Sequence, residues 1–264
     1  MTFVVFSIDT ERDSSHHIDG NPFEATTFGE SKAAFSATEA GLKDLLSILE
    51  ELEIPATFFF EAQTALKLKD KMDLRKNFKK HEIGFHGFHH EDFAGVKTGV
   101  KIPQEKRAKI IARGKKALEK TFARKIKGIR TPYLGWDSGM LEIASENFEY
   151  DSSFYGTKPI TEKGLRRIPV FEGVDAKGKK MQGFLWPLME GDRKAEDYLS
   201  LVKQGIKMKA GPIVIATHSW HTRMTRKDGR LDERQAREKI ELVKKVLSEV
   251  KKLPNAEFTT LDKC

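Results

Sequence analysis

The sequence predicts an α/β fold built on a parallel sheet, and three observations carry that prediction. Short apolar, β-branched runs alternate with longer amphipathic stretches along the 264 residues, which is the pattern of repeated βα units. The residues with chemical potential sit just after the apolar runs: Asp9 and Glu11 after the first, His86 after the third, Arg130 after the fourth and His218 after the most apolar run of the second half. In a parallel sheet the carboxyl ends of the strands share one face, and sites gather there. Third, no linker, repeat or low-complexity tract interrupts the chain, so residues 1–264 are expected to form a single domain. An open sheet and a closed barrel both satisfy this pattern.

The elements follow in order. Residues 2–8, TFVVFSI, read as a buried strand ended by a polar cluster from Asp9 to Asn21. Residues 31–53 read as a helix, with Ala37, Leu42, Leu45, Leu49 and Leu52 at mixed three-and-four spacing. Pro55 precedes ATFFF, a second strand; 62–80 read as a helix, and HEIGF, 81–85, as a third strand. Pro103 opens a helix over 103–122. KIKGI is a strand ending at Arg130, 137–147 a short helix, and FEYDS strand-like. RRIPVF and QGFLWPL are further strand candidates. A helix over about 193–209, the strand GPIVIAT, a helix over 232–250 and the short strand AEFTTL complete the chain.

Composition narrows the partners. The formal charge is +8, from 47 Lys and Arg against 39 Asp and Glu. The basic residues are mostly lysines interleaved with acids in 103–127 and 232–252, as on solvated helix faces, so no nucleic-acid partner is expected. No run approaches the ~20 apolar residues of a membrane span, and contact with a membrane surface is left open. The start, MTFVVFSIDTERD, lacks a basic leader region and reads as a strand, so a cytoplasmic location is expected. The sole cysteine is Cys264, which excludes an intrachain disulfide and, on a frayed tail, makes a poor nucleophile.

The eight histidines fall in three groups, 16–17, 81–90 and 218–221. His86 and His90 are four apart in HGFHH; on a helical turn they share a face and both rings reach one ion, with His89 pointing elsewhere. A metal-free polar loop is the competing reading. Asp9 and Glu11, two apart at a strand end, face the same side of an extended segment. Two such carboxylates are costly together unless a cation or an Arg compensates. Carboxylate with imidazole suits one divalent ion, Zn²⁺ by default, with Co²⁺, Mn²⁺, Ni²⁺ or Fe²⁺ as alternatives. The expected metal set is Glu11, His86 and His90. A hydrolase also needs a base for the attacking water and an acid for the leaving group. Asp9 can be the base if it stays off the metal, and His218 the acid from the opposite side. The competing role for His218 is a strand cap, with His221 and Trp220 on a pocket wall.

These residues resemble the polysaccharide deacetylase family, also called the NodB-homology or family-4 carbohydrate esterase fold. FSIDTE resembles the first motif in its D-x-E variant; HEIGFHGFHH the H-x-x-x-H motif; RTPYLG the R-x-P-Y/F motif; YDSS the fourth motif; and IVIATHSWH the last. The likeness runs in the family's order from Phe3 to about Leu261. It implies a distorted, partly open (β/α)7 barrel. By the same likeness Asp9 is the base, Glu11, His86 and His90 are the ligands, and Arg130 orients Asp9. The amide of Tyr133 helps bind the oxyanion, Asp151 lies near the catalytic histidine, and His218 is the acid. Trp136, Trp186 and Leu188 are pocket-wall candidates. Thr10 stands where the family has its second aspartate, which moves the metal carboxylate to Glu11, and the last motif ends H-S-W-H rather than His-Asp.

The implied activity is metal-assisted removal of an N-acyl group, acetyl by default, from an amino sugar or related small amide. Cyclic amides and lipid-linked formamido sugars are alternatives within the same fold. Two rivals come from other classes: a DEDD-type 3′–5′ exonuclease, which shares the D-x-E opening, and a non-catalytic metal- or sugar-binding protein. The early helix and the HGFHH cluster do not fit the exonuclease.

Overall fold

The computed structural model describes residues 1–175 and 177–264. The chain opens with β1 (Thr2–Thr10), followed by a hairpin of β2 (Ser15–Ile18) and β3 (Asn21–Thr27). Next come α1 (Ser36–Glu51), β4 (Ala56–Phe60), the short α2 (Ala62–Leu68) and α3 (Leu74–Asn77), β5 (Glu82–Phe85) and α4 (Gln104–Phe122). Then follow β6 (Gly128–Ile129), α5 (Ser138–Asn147), β7 (Tyr150–Asp151), β8 (Tyr155–Gly156), β9 (Ile160–Glu162) and β10 (Leu165–Arg167). The last part contains β11 (Val170–Val174), β12 (Lys180–Gln182), α6 (Trp186–Met189), α7 (Ala195–Lys207) and β13 (Ile213–His218). It closes with β14 (Met224–Thr225), β15 (Gly229–Arg230), α8 (Glu233–Lys251) and β16 (Ala256–Thr259).

The central sheet runs β12-β11-β13-β1-β4-β5-β6-β7-β10-β9, with β16 added beside β1 and β8 beside β11. From β11 to β10 every neighbouring pair is parallel. The path curls but leaves β10 and β11 unpaired with each other, so the barrel is partly open, as the resemblance implies.

Strand alternation separates two cores. Val4, Phe6 and Ile8 of β1, Phe58 and Phe60 of β4, and Ile213 and Ile215 of β13 face outward into the layer shared with the helices. Val5, Phe59, Val214 and Ala216 face inward to a second apolar cluster. Asp9 keeps the inward parity of Val5 on β1, and His218 that of Val214 and Ala216 on β13. The register then sets Asp9 directly beside His218. One slip of register would send both to the helix layer.

Several sequence expectations are corrected. The first helix starts at Ser36 rather than 31, and the stretch 62–80 holds two short helices instead of one. Within the polar cluster Asp9–Asn21 lies β2, the first arm of a hairpin the sequence did not announce. QGFLWPL is no strand throughout: Gln182 ends β12, and beyond it a single bridge, Phe184 to Ala216, joins the sheet. Pro187, which has no N–H to give a ladder, sits in the first turn of α6. That turn points Leu188 into the outer core, 1% exposed, so Leu188 is not a pocket-wall residue. Cys264 is not on a frayed tail either. Leu261 is fully buried beside it, and burial pushes the thiol up to about 12, which is what makes it inert.

Candidate metal centre and catalytic cleft

The cleft lies at the carboxyl ends of the strands, and Glu11 continues β1's inward parity two residues beyond Asp9. Its backbone is pinned from several sides. Thr38 Oγ1 donates to the Glu11 carbonyl at 2.6 Å. Asp13 accepts the amides of Ala37 and Thr38, capping α1 from outside the helix. Arg12 gives its amide to Glu61 at 2.9 Å and forms a buried ion pair with the same carboxylate. α1 approaches the turn after β13 closely enough that a Cβ on Gly41 would collide with the Ser219 carbonyl.

His86 and His90 reach Glu11 by a route the sequence did not suggest. Residues 86–90 are not helical. The Glu91 carboxylate accepts the amides of Phe88 (2.7 Å) and His89 (3.0 Å), and Gly87 and His90 take left-handed backbone, φ 79° and 60°. This tight loop brings both rings inward, while His89 turns away to Gln63 at 3.0 Å. A left-handed φ in a histidine carries strain, and such strain gathers at working sites.

The donors suit a cation. One donor atom each from Glu11, His86 and His90 lies within 4.8 Å of the others. His86 Nδ1 lies 2.7 Å from the Arg130 carbonyl, which can only accept, so Nδ1 carries the proton. A neutral His86 therefore aims the lone pair of Nε2 at Glu11 Oε2, 3.2 Å away, and His90 Nε2 lies 2.5 Å from the same oxygen. Lone pairs facing lone pairs require a proton or a metal between them. Ser15 Oγ donates to Glu11 Oε1 at 2.7 Å and lies 3.2 Å from His90 Nε2, and Trp220 Nε1 donates to Glu11 Oε1 at 3.2 Å. Burial works to raise the Glu11 pKa, but His90, His86 and His218 outweigh it and hold the carboxyl well below its ordinary value. Burial lowers His86, while Asp9 and Glu11 raise it above the usual histidine value on balance.

Asp9 stands apart from this set. Its Oδ1 accepts from Arg130 Nη1 at 2.8 Å. Arg130 is fully buried and crosses the barrel interior, donating also to Ser7 Oγ and to Ser152 through both carbonyl and hydroxyl, with its guanidinium over Phe59 at 4.4 Å.

His218 lies in an aromatic box. Phe184 stacks on it at 5.4 Å, with Trp186, Trp220 and His221 at 5.1, 5.4 and 5.3 Å. Its Nδ1 has no partner among the described residues. Burial lowers its pKa, against the pull of Glu11 and Asp9. Asp151, expected beside it, is elsewhere: its carboxylate accepts from Ser153 Oγ and from Arg167 Nε at 3.0 Å. β7 sits next to β6 and β10, away from β13, so the YDSS likeness does not bring Asp151 to His218. Asp151 instead holds Ser153 and Arg167, which do line the cleft.

The cleft has a volume of about 990 Å³. Asp9, Glu11, His86, His90, Tyr133 and His218 line it, with Trp136 and Trp186 on its walls. Tyr133 has left-handed backbone, φ 57°, and its ring meets His90 edge-on at 4.7 Å. Trp220 is fully buried behind Glu11 and serves as its donor rather than as wall. Sequence reasoning missed Ser15, hidden in the unforeseen hairpin, and Arg167 and Arg226, which no local pattern marks.

Residues 25–149 match the polysaccharide deacetylase family. The match takes in His86, His90, Arg130 and Tyr133. No curated protein matches the sequence. Among solved structures, a Mycobacterium smegmatis protein assigned to the polysaccharide deacetylases is 20% identical, with TM-score 0.69 over 99% of this chain and 87% of its own. PuuE allantoinase is 13% identical, with TM-score 0.67 over 99% and 88%. A Pseudomonas aeruginosa PAO1 protein, also assigned to the polysaccharide deacetylases, is 12% identical, with TM-score 0.64 over 99% and 88%. These likenesses establish the NodB-type barrel and bear out the resemblance read from the motifs. No helix among the described residues is long and apolar enough to cross a membrane.

Proposed function

We propose that this chain is a metal-dependent deacylase, removing an N-acyl group, acetyl by default, from an amino sugar or related small amide. The observation that carries the reading is one cleft holding a three-donor metal set, a separately anchored carboxylate and a histidine on the neighbouring strand. Glu11, His86 and His90 would hold one divalent ion, Zn²⁺ by default. When bound, such an ion lowers the pKa of a water and polarises an acyl oxygen.

The chain's own groups supply the rest. Asp9 takes the proton from the attacking water; its bond to Arg130 fixes its aim and keeps it off the metal. The Tyr133 amide is the proposed donor to the developing oxyanion. His218 delivers a proton to the departing nitrogen, and its lowered pKa makes its protonated form a stronger acid. His221 suits that task less well. It is fully buried, its pKa is pushed down to about 3 by burial, and its Nε2 faces Glu190 at 3.4 Å. The exonuclease alternative needs both carboxylates of D-x-E as metal ligands, and the Asp9–Arg130 pair opposes it.

The test is a hydrolysis screen of the metal-loaded protein on N-acetylated sugars, nucleotide- and lipid-linked sugars and cyclic amides, measuring released acid. His218→Ala is expected to lose roughly 10²–10⁴ in rate on an amide, and much less on an activated aryl acetate, whose phenol leaves unaided. Equal losses on both, or a larger amide defect in His221→Ala, would remove His218 from the mechanism. Bound metal with no turnover on any acyl substrate would support the binding-protein rival.

A further inference from the structure

Away from its centre the charged residues that line the cleft are all cations. Lys97, Arg167, Lys180, Arg193 and Arg226 reach its walls, and the only carboxylates lining it, among the described residues, are Asp9 and Glu11. Three of the five cations are matched by acids outside the cleft: Arg167 by Asp151 and Glu162, Lys180 by Glu172, and Arg193 by Asp175. Arg226 is held differently. Its guanidinium lies over Trp186 at 4.8 Å and Phe28 at 5.2 Å. Its Nη2 donates to the Ser15 carbonyl at 2.8 Å and its Nε to Ser14 Oγ at 3.4 Å. No side-chain carboxylate is among these partners.

A guanidinium carries five N–H donors, and these contacts use two. Stacking and the backbone carbonyl fix the plane of the fork, so little freedom remains to be lost when an oxyanion arrives. The location is equally informative. Ser15, whose carbonyl holds Arg226, gives its own hydroxyl to Glu11. The free face of Arg226 is therefore one residue removed from the metal donors rather than on a distant rim.

Resting on the deacylase reading, we propose that the substrate is an acylamino sugar bearing a phosphoryl group near its acyl nitrogen, and that Arg226 receives that group as a two-pronged donor. A neutral sugar would leave the fork unpaired inside a positive cleft. A phosphoryl group matches both its geometry and the surrounding charge.

The experiment measures binding rather than turnover, so it stands whether or not the right acyl group has been found. Metal-loaded Asp9→Asn protein, in which hydrolysis is suppressed, is titrated calorimetrically with N-acetylglucosamine, its 1-phosphate, its 6-phosphate and N-acetylmuramic acid. One phosphate is expected to bind roughly 10–100-fold tighter than the neutral sugar, the gain of a charge-assisted pair of hydrogen bonds. Adding Arg226→Gln should erase most of that preference, read as the ratio of phosphate to neutral-sugar affinity within each protein. Arg226→Lys, which keeps the charge without the fork, should fall between. A preference that survives Arg226→Gln, no preference in the parent, or tighter binding of the carboxylated sugar than of either phosphate would overturn the proposal. Failure of the deacylase reading would show separately, as absent turnover in the substrate screen.

Discussion

Two buried carboxylate sites occupy opposite ends of the same sheet and have opposite fates. At the amino end of β5, Glu82 is met by neutral donors: Thr57 Oγ1 at 2.8 Å and the Asp262 amide at 3.1 Å on one oxygen, the Tyr150 hydroxyl at 2.7 Å on the other. Burial, together with nearby Asp262, pushes its pKa up to about 7. At the carboxyl end, Glu11 is as deeply buried but faces two imidazoles, and is held well below its ordinary value. Burial is common to both sites, so the partners decide. A carboxyl closed off by hydroxyls and an amide is a fastening; one opposed by basic rings stays ionised and can grip a cation.

The sharpest way to break this contrast is to strip the basic partners. Replacing His86 and His90 together with Ala should take bound metal from about one per chain to nearly none by elemental analysis and abolish turnover; undiminished metal would make the two ends equivalent. Asp9→Asn comes next. It should lower turnover by roughly 10²–10⁴ with metal retained, and loss of the metal as well would make Asp9 a ligand rather than a base.

Trp220→Phe removes the Nε1 donor to Glu11 while keeping an aromatic ring in a fully buried position. Metal affinity should fall about 10–100-fold, as for other groups that orient a ligand; competition with a chromogenic chelator reads this. An unchanged affinity would leave the imidazoles alone in charge of Glu11.

The smallest effect belongs to the other end. Glu82 titrates near 7 in the folded chain against 4.5 ordinarily. The folded state thus binds the proton more tightly, and stability falls as pH rises from about 4.5 to about 7, by at most ~1.4 kcal/mol per pH unit for one proton. Glu82→Gln should lose this slope and keep full activity. Glu91, also pushed up to about 7 by burial, slopes the same way in both proteins, so the wild-type-minus-variant difference in melting is the readout. A flat difference would refute the assignment.

How legible was each end beforehand? The upper one was visible because strand period and strand order act on residues close in sequence: IVIATH and FSIDTE announce which side chains leave the sheet on the open face. The convergence of Glu11, His86 and His90 followed from that. Its local geometry did not, because Glu91 folds residues 86–90 through its own carboxylate where a four-residue spacing suggested a helical turn. The lower end was invisible, since Thr57, Glu82, Tyr150 and Asp262 meet from distant parts of the chain and none stands in a motif that marks it. Arg226 was hidden for the same reason, whereas Ser153 and Arg167 lie close to Asp151 in sequence but in no pattern that marks them as its partners. Leu188 misled because a proline-led single turn and a strand look alike in a short apolar run.

Arg130 serves the centre twice, by different chemistry. Its guanidinium aims Asp9, and its carbonyl fixes the His86 proton. Only the first is written in the side chain; the second survives any substitution that leaves the backbone in place. On the proposed reading, mutational drift at this position would disarm Asp9 as the base while sparing the arrangement of Glu11, His86 and His90. If that reading holds, loss of catalysis with the metal donors kept needs one side-chain change at Arg130, whereas loss of the donors with the base kept needs changes elsewhere.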